Sequence, residues 1–296
     1  MSDISILLAV YNGANYLDLA LQSICDQDFK DWELIAVENG STDNSFEILQ
    51  KWSQIDSRIR IYRIVEKGKN KAFNEAFSKS KSEFVCFFAA DDLLHNQSLG
   101  IRLEQLLSSK NNFNYSTCLL ETISDDEEYN GLVFPKNRNS PNFSGGSIFF
   151  SRNLATKIFP IPIELPNEDV WTSLHLKYFG SGFHISRPLY YYRIHHNNSY
   201  GYHVPFDVKR KGFLERMKAF NLFLIKQRIN LSREKVIYLE NFEKARILAE
   251  KKDLIKIMAI NIPLKDKILF IYYSSPFLFW LKQKLFKLLS GKFELI

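Results

Sequence analysis

Short apolar runs alternate with helical patterns along the first ninety residues of the chain. Four runs predict buried strands, at Ile4 to Val10, Trp32 to Val37, Arg58 to Val65 and Phe84 to Phe88. Helical periodicity separates them over residues 16–27, 41–52 and 69–80, with Ser41, Thr42 or Asp43 as the expected N-cap of the second helix. Strands joined by helices in this way lie parallel, so the pattern predicts a doubly wound, mostly parallel α/β sheet flanked by helices.

The middle of the chain predicts further strands and helices around a long polar loop. Helices are expected at residues 99–107, 153–158 and 168–179, and strands at 114–120, 147–150 and 183–194. Asn167 is the expected N-cap of the last of these helices. The loop, residues 124–144, is rich in Asn and Pro, and a loop of that length in a compact domain usually carries function.

The last ninety residues differ from the rest in charge. Residues 1–206 hold 19 Lys and Arg against 24 Asp and Glu (net −5), whereas residues 207–296 hold 20 against 9 (net +11), which gives +6 for the whole chain. Basic amphipathic helices are predicted at residues 208–227, at 232–251 and from 265 onward. A basic region of this kind suggests an anionic partner, either a membrane or a nucleic acid, although a solvated helical face has the same composition.

Composition narrows the class of protein. A hydrophobic fraction of 46% in 296 residues is enough for a packed globular core. Three widely spaced cysteines, at positions 25, 86 and 118, form no CxxC pair, so neither a disulfide framework nor a zinc site is expected and a reducing cytosol fits. The N-terminus lacks the basic start of a signal peptide, and no apolar run is long enough to span a membrane. We therefore expect a cytoplasmic protein.

Two acidic residues follow the central apolar run directly. The run FVCFF stops at Asp91 and Asp92, so both carboxylates are expected at the carboxyl end of a buried strand. Ligands collect at that edge of open α/β sheets, and paired carboxylates suit a divalent metal that holds a phosphorylated ligand. Asp is also common where strands end, and both residues could instead cap the next turn. The loop after the first strand, YNGANY, lacks GxGxxG, so the sheet is not a dinucleotide-binding domain of the usual kind.

Acidic residues recur at two other predicted element ends. Glu38, in ENGSTD after the second strand, can accept hydrogen bonds from a base or ribose, and Gly40 permits close backbone approach. The alternative is an ordinary turn. Glu168 and Asp169, in PNEDVW, begin a predicted helix, where the helix dipole by itself favours acids. A carboxylate fixed there and facing a cavity could also serve as a general base.

A basic pair lies near the end of the last predicted strand. Arg193 and His195, in YRIHHNNS, are two residues apart and therefore on one face of a strand. A guanidinium and an imidazole there could meet a diphosphate or a metal. A strand-edge pair exposed to water is the alternative.

These segments together resemble the family-2 glycosyltransferases. The resemblance rests on the stretch from SILLAVYNGANY to VENGSTDNS, then GKNKAFNEAF, FVCFFAADDLL, GGSIFFSR, NEDVW and YYYRIHHNNS, in this order over residues 3–200. It implies a GT-A fold, transfer of a sugar from a nucleotide diphosphate sugar, inversion at the anomeric carbon, and a requirement for Mn²⁺ or Mg²⁺.

The resemblance also implies roles for particular residues. It places the nucleotide sugar against Ala9, Val10, Tyr11, Glu38, Asn39, Asp92 and Arg193. It gives the metal to Asp91, with His195 as a further ligand. Asp169 would be the base that deprotonates the acceptor hydroxyl, with Glu168 as the alternative.

Three positions depart from the family's usual residues. Glu38 and Asn39 stand where Asp-Asp is common, Ala89 stands where the first Asp of the DxD pattern is common, and Phe73 stands where Arg is common. The change at Ala89 removes a carboxylate that contacts the nucleotide, so it bears on the identity of the nucleotide and on metal affinity. A catalytically inactive relative that acts as a partner subunit is therefore one alternative to an enzyme, and a basic nucleic-acid-binding protein is another, although the C-terminal helices carry no recognisable nucleic-acid-binding motif.

The resemblance implies how the chain divides into domains and which donor and acceptor it uses. Residues 1–206 would form the catalytic domain, with a nucleotide-binding half to about residue 110 and an acceptor-binding half over 111–206, and residues 207–296 a basic helical extension. A UDP-sugar is the expected donor and a glycan or lipid-linked hydroxyl the expected acceptor, in cell-surface polysaccharide synthesis. No nucleic acid is expected as partner.

One C-terminal segment predicts contact with a membrane. Residues Ile268 to Leu281 are apolar, are interrupted by Pro276 and are flanked by lysines. A segment too short to span a bilayer and edged with lysine is typical of an element in the membrane interface, which would place the protein on the inner face of the membrane. Packing of the same segment on the catalytic domain or on another subunit is the alternative.

Overall fold

The computed structural model describes residues 2–195 and 204–290, with side chains as far as residue 285. Backbone contacts divide the chain into two units. The first comprises Met1–Ile163 and Asn167–Ile194, and the second comprises Glu164–Pro166 and His195–Ile296.

The first unit is an α/β domain. Its strands are β1 (Ile4–Val10), β2 (Trp32–Glu38), β3 (Ile59–Arg63), β4 (Phe84–Ala89), β5 (Leu93–Leu94), β6 (Asn114–Ser124), β7 (Val133–Phe134), β8 (Ile148–Ser151) and β9 (Ser181–Ile194). Its helices are α1 (Ala14–Cys25), α2 (Ser45–Ile55), α3 (Lys69–Lys79), α4 (Ser98–Leu107), α5 (Arg152–Ile158) and α6 (Asp169–Phe179). The alternation predicted from the apolar runs is confirmed.

The amino-terminal half of the sheet is parallel. Within the described part of the chain the strand order is β3-β2-β1-β4-β8-β6-β9-β5, with β7 paired to β6. Strand β1 lies between β2 and β4 and is parallel to both, and β2 is parallel to β3. The helices between these strands bury their apolar faces on the sheet, as Leu17 and Leu21 of α1 and Leu49 of α2 do. These contacts account for the doubly wound order expected from the sequence.

The remaining strands extend the sheet in mixed orientation. Strand β8 is antiparallel to β4 and β6, while β9 runs parallel to β6 with an irregular register near Cys118 and Leu119. Strand β5 is antiparallel to β9. The predicted loop of residues 124–144 contains a 3₁₀ turn at Glu127–Tyr129 and the short strand β7.

The second unit is helical. Its helices are α7 (Phe206–Gln227), α8 (Arg233–Glu250), α9 (Leu254–Ala259), α10 (Leu264–Ser274) and α11 (Pro276–Ser290). Aromatic side chains fill its core: Phe220 stacks on Phe242 at 3.7 Å between ring centroids, and Phe213 stacks on Tyr273 at 4.0 Å. No helix within the described residues is long and apolar enough to cross a membrane. The helical character predicted for this region is confirmed.

Two predicted helix caps are wrong. Asn44 is the N-cap of α2, whereas Ser41, Thr42 and Asp43 belong to the preceding loop. Asn167 does not cap α6, because that helix begins at Asp169 and Glu168 occupies the N-cap position without a capping hydrogen bond from its side chain. The Asp43 carboxylate accepts the backbone N–H of Ala14 and that of Ser45, the first residue of α2, from a position one residue before the cap. The Glu168 carboxylate is bound by Lys69 of α3.

A buried arginine is unusual in the core of the first unit. Arg102 of α4 is 0% exposed, and none of its guanidinium nitrogens has a hydrogen-bond partner among the residues that the structure describes. The guanidinium lies 5.2 Å from the ring centroid of Phe149, a contact that only partly offsets the loss of hydration. Burial also raises the pKa of the nearby Cys86 thiol to about 11, although the Arg102 charge acts in the opposite direction.

We expect Arg102→Met to raise the free energy of unfolding by about 1 kcal/mol or more, because a methionine of similar length removes a desolvated charge. Urea denaturation of the two proteins measures the difference. Arg228→Met is the matched control, since that guanidinium is exposed and pairs with Glu240, and it should change stability by less than about 0.5 kcal/mol. Destabilisation by Arg102→Met would show that the guanidinium has a favourable role that its contacts do not reveal.

Candidate active site

The carboxyl ends of three parallel strands meet at one edge of the sheet. Ala9 of β1 lies opposite Val37 of β2 and Ala89 of β4, and Val10 lies opposite Glu38. The chain segments that follow these strands therefore start side by side. This register brings the predicted nucleotide and metal residues of three separate sequence motifs to the same edge.

Tyr11 is the most exposed of the predicted residues at this edge. Its side chain is 47% exposed, and its hydroxyl accepts a hydrogen bond from the Lys67 ammonium at 3.1 Å. The same ammonium lies 4.9 Å from the centroid of the Tyr11 ring. The Val10 side chain is buried in the core. At the sheet edge, residue 10 therefore offers only its backbone, next to the exposed side chain of Tyr11.

Glu38 and Asn39 are buried and hold the loops around them. The Glu38 carboxylate is 0% exposed, accepts the backbone N–H of Ser41 and forms an ion pair with Arg63 at 2.8 Å. The Asn39 side-chain oxygen accepts the backbone N–H of Gly68 at 3.0 Å. These contacts join the loop after β2 to the loop before α3.

Asp92 has a buried carboxylate with two hydrogen-bond donors. Its residue is 3% exposed, and its two oxygens accept the Tyr190 hydroxyl at 2.7 Å and the Arg193 backbone N–H at 2.8 Å. Burial, followed by repulsion from the neighbouring Asp91 charge, raises the pKa of Asp92 well above its usual value, against the effect of these donors. Asp92 therefore joins the end of β4 to β9.

Arg193 is fixed beside Asp91 through the backbone. Its Nε donates to the Asp91 carbonyl oxygen at 2.8 Å, and its guanidinium lies 4.7 Å from the centroid of the Tyr16 ring. The structure thus places Arg193, predicted to contact a diphosphate, beside Asp91, predicted to bind a metal. His195 belongs to the second contact unit, and residues 196–199 of the YRIHHNNS motif lie outside the described residues.

Glu168, Asp169 and Asp91 share one cation. The Lys69 ammonium lies 3.0 Å from Oε2 and 3.2 Å from Oε1 of Glu168. Partial burial disfavours the charged amine, but attraction to Glu168 first, and then to Asp169 and Asp91, holds the pKa of Lys69 above its usual value. Glu168, at the start of α6, therefore contacts the start of α3, and the charges of Asp169 and Asp91 act on the same ammonium.

Gly145 and Gly146 leave the space that the Glu168 and Tyr190 side chains occupy. A Cβ atom at Gly145 would lie 2.4 Å from Oε1 of Glu168, and one at Gly146 would lie 2.0 Å from the Tyr190 ring. Because such distances are far inside van der Waals contact, larger residues would displace Glu168 or Tyr190. The GGS turn before β8 is therefore part of the site, whereas in the sequence GGSIFFSR only contributed to the resemblance.

Sequence reasoning missed Lys69 and Tyr190 as site residues. Lys69 stands at the start of a predicted helix, where a lysine is normally solvated, and Tyr190 stands in a strand with two other tyrosines. The only signal was that Lys69 lies in the GKNKAFN segment, which contributed to the resemblance but gave no role to Lys69. Pairing with a carboxylate 99 positions away was not visible in the sequence.

The residues at this edge fit a divalent metal in part. No group of three or more His, Cys, Asp and Glu side chains within the described residues is arranged to hold a metal ion. Metals that bind nucleotides commonly take one or two carboxylates from the protein and the rest of their ligands from phosphates and water. Half-buried Asp91 suits that role, whereas both oxygens of Asp92 already accept hydrogen bonds.

Phe73 and Ala89, the two apolar residues at positions where the family commonly has charged ones, lie in different surroundings. Phe73 is 1% exposed and packs edge-on against Phe87 with ring centroids 4.8 Å apart, so it belongs to the core. Ala89 ends β4 and is half-buried at the sheet edge. At that edge the chain supplies a methyl group in place of a third carboxylate.

Comparison with known proteins agrees with the geometry. The family model described as Glycosyl transferase family 2 matches residues 5–158, which is more than half of the chain. The chain is 30% identical over 114 residues to the putative teichuronic acid biosynthesis glycosyltransferase TuaG of Bacillus subtilis, covering 38% of this chain and 45% of TuaG. It is 26% identical over 211 residues to the GalNAc(5)-diNAcBac-PP-undecaprenol beta-1,3-glucosyltransferase of Campylobacter jejuni, covering 67% of each.

Several relatives are longer than the part that matches. The chain spans 29%, 45% and 49% of the length of curated glycosyltransferases from Rickettsia bellii, Bacillus subtilis and Haemophilus influenzae.

Solved structures share the fold. TarS residues 1–349 of S. aureus, in complex with UDP-GlcNAc, superposes with a TM-score of 0.60 at 17% identity, covering 99% of this chain and 93% of TarS. The mannosyltransferase PcManGT of Pyrobaculum calidifontis, in complex with GDP-Man and Mn²⁺, superposes with a TM-score of 0.61 at 16% identity. The match covers 98% of this chain and 88% of PcManGT. The predicted fold class, a GT-A sheet with a helical C-terminal extension, is confirmed.

We expect Asp92→Ala to lower the free energy of unfolding by about 1–3 kcal/mol, because the Tyr190 hydroxyl and the Arg193 N–H would lose a buried acceptor. Asp92→Asn should cost less, since its amide oxygen can accept from Arg193 and its amide N–H can donate to the Tyr190 oxygen. Chemical denaturation of the three proteins checks this order, and equal losses in both variants would contradict it.

The stability difference between the wild type and Asp92→Asn should depend on pH. The folded-state pKa of Asp92 is raised, so folding binds a proton and this contribution to stability is fully present below the unfolded pKa of about 4. It is lost as pH rises from there through the folded-state pKa. The stability of the wild type relative to Asp92→Asn should therefore fall as pH increases above about 4, and a constant difference would count against the assignment.

Proposed function

Because the chain belongs to glycosyl transferase family 2, we propose that it transfers a sugar from a nucleotide diphosphate sugar to a hydroxyl of a glycan or lipid-linked acceptor, with inversion at the anomeric carbon. The observation that carries this proposal is the convergence of Asp91, Glu168 and Asp169 on Lys69 at the carboxyl edge of the sheet. A transferase of this kind needs separate groups for the departing diphosphate and for the acceptor proton, and this cluster supplies both.

The donor would lie along the ends of β1, β2 and β4. The backbone from Ala9 to Tyr11 and the exposed Tyr11 ring line the proposed nucleotide site. Glu38 and Asn39 support it from beneath, because both are buried and hold the adjoining loops. We propose a UDP-sugar as donor, which agrees with the UDP-GlcNAc found in TarS, although the GDP-Man of PcManGT shows that this fold accepts more than one nucleotide.

Charge on the leaving diphosphate would be met by Arg193 and a metal ion. Arg193 is fixed beside Asp91 by a bond to its carbonyl oxygen, so its guanidinium is preorganised for an anionic group. Asp91 would hold Mn²⁺ or Mg²⁺. The ion would supply additional positive charge for the diphosphate. Asp92 holds the segment in place through Tyr190 and Arg193.

Asp169 is the proposed general base. It begins α6, a rigid element, and its carboxylate interacts electrostatically with Lys69 beside Glu168. A base there would take the proton from the acceptor hydroxyl as that oxygen attacks the sugar. Attack from the side opposite the diphosphate gives inversion. The names of TuaG and of the Campylobacter jejuni relative support an acceptor in cell-surface polysaccharide synthesis.

Asp91→Ala and Asp169→Asn should each lower transfer by at least about 10² relative to the wild type. The donor is first found by thermal stabilisation of the pure protein with a panel of nucleotide sugars, with and without Mn²⁺. Product formation is then measured for the wild type, both variants and Glu121→Gln, a carboxylate of β6 outside the cluster, as control. Transfer at the wild-type rate by either variant would refute its assigned role. Absence of donor binding and hydrolysis in the wild type would favour an inactive relative.

We also propose that the second unit binds an anionic membrane surface on the cytoplasmic side. Large apolar side chains are exposed on its last two helices, with Leu264 at 61%, Ile268 at 56%, Phe277 at 65% and Trp280 at 54%. Residues 251–290 contain eight lysines and two aspartates. Aromatic and aliphatic side chains beside lysines suit the boundary between acyl chains and anionic headgroups.

Phe277→Ala with Trp280→Ala should lower binding to vesicles of equal parts phosphatidylglycerol and phosphatidylcholine by at least about tenfold, since two large apolar side chains lose their contact with lipid. Flotation of vesicles measures the bound fraction. Ile225→Ala with Ile229→Ala is the matched control, because those side chains are 68% and 97% exposed elsewhere in the same unit. Binding that is unchanged in the aromatic variant would exclude this surface.

A further inference from the structure

The first two turns of α3 contact the segment that leads into α6. The Asn70 side chain donates to the carbonyl oxygen of Pro162 at 3.1 Å. Asn74 pairs twice with Ile161, since its amide nitrogen donates to the carbonyl oxygen at 2.8 Å and its amide oxygen accepts the backbone N–H at 2.7 Å. Together with Lys69, these residues come from the single motif GKNKAFN, to which the sequence assigned no role.

Helix α3 is a rigid support for these contacts. Ala72 and Ala76 on its other face, and Phe73 next to Asn70, are fully or almost fully buried. Residues 70 and 74 are four apart, so their side chains project from the same face of the helix. The segment that they hold lacks regular secondary structure between α5 and α6, and it depends on such side-chain bonds for a fixed path.

Glu168 connects this support to α6. It occupies the N-cap position, yet its side chain caps no backbone N–H of that helix and is bound by Lys69 instead. The residue is 4% exposed, and Gly145 lies against its carboxylate on another side. A carboxylate that is enclosed and already paired with an ammonium is poorly placed to take a proton from an acceptor. The next residue, Asp169, is the other candidate for that role.

We propose that Lys69, Asn70 and Asn74 form a clamp that fixes the start of α6, and that Lys69 acts through the Glu168 carboxylate to position the base Asp169. This inference rests on the proposed function and deepens it by giving the two adjacent acids different roles. Asp169 is catalytic, and Glu168 and Lys69 are positioning residues.

Lys69→Gln tests the clamp, because the side chain is 46% exposed and its replacement leaves the core intact. Loss of the ion pair loosens the start of α6, so kcat should fall by about tenfold, less than the fall expected for Asp169→Asn. Donor affinity, measured as thermal stabilisation by the nucleotide sugar, should change by less than about twofold, since Lys69 acts on the base and not on the donor. Lys69→Arg keeps the ion pair and should recover most of kcat. Lys71→Gln is the matched control, because Lys71 of the same helix pairs with the exposed Glu66 and should leave kcat unchanged.

A double-mutant cycle identifies the partner. Glu168→Gln should lower kcat by about as much as Lys69→Gln, and the double variant should lose little more, since both changes break one ion pair. Additive losses, or a loss of donor affinity in Lys69→Gln, would overturn the clamp. A fall in Glu168→Gln as large as that in Asp169→Asn would instead make Glu168 the base.

The two proposals fail in different ways. A wild-type protein that neither binds nor turns over any nucleotide sugar refutes the proposed function. A wild-type protein that is active, together with a Lys69→Gln variant of equal kcat, refutes the clamp alone.

Discussion

The hydrogen-bonded register of β1, β2 and β4 is the constraint on which the candidate site depends. Because Ala9 lies opposite Val37 and Ala89, the three strands end at one level, and the chain leaves each of them at the same edge of the sheet. A shift of register by one residue would exchange the side chains on the two faces of the affected strand and separate the segments that follow. The apolar core beneath, with Leu8, Ala36 and Phe88 almost wholly buried, fixes this alignment.

Buried polar side chains then determine the path of the loops above the sheet. Asp92 joins the end of β4 to β9 through Tyr190 and the Arg193 backbone. Asn39 joins the loop after β2 to the segment before α3, and Glu38 holds that loop through Ser41. A buried carboxylate without partners would be costly, so each of these residues exerts its effect through the donors that it binds. Several residues that a sequence comparison connects with ligand binding are therefore also structural supports.

Charge balance distinguishes the carboxylates of the site from one another. Lys69 is paired with Glu168 and is attracted less strongly to Asp169 and Asp91, so one cation meets three anions. An excess of negative charge remains, which suits a divalent cation and the positive Arg193 when an anionic diphosphate is bound. Burial separates Asp92 from this group, since its raised pKa reflects desolvation before any neighbouring charge.

The sequence by itself determined the order of strands and helices, because apolar runs and helical periodicity are local properties that follow directly from side-chain polarity. It also placed acidic residues at strand and helix ends, where Asp91 and Asp169 are found. Which of these acids pairs with a cation follows from the tertiary structure, since Lys69 and Glu168 are separated by 99 positions and only the fold brings them into contact. It also decided that α6 begins at Asp169 and not at Glu168, because the ion pair to α3 draws the Glu168 side chain away from its own helix. Local pattern could not reveal this, as both acids are equally favoured in a first helical turn.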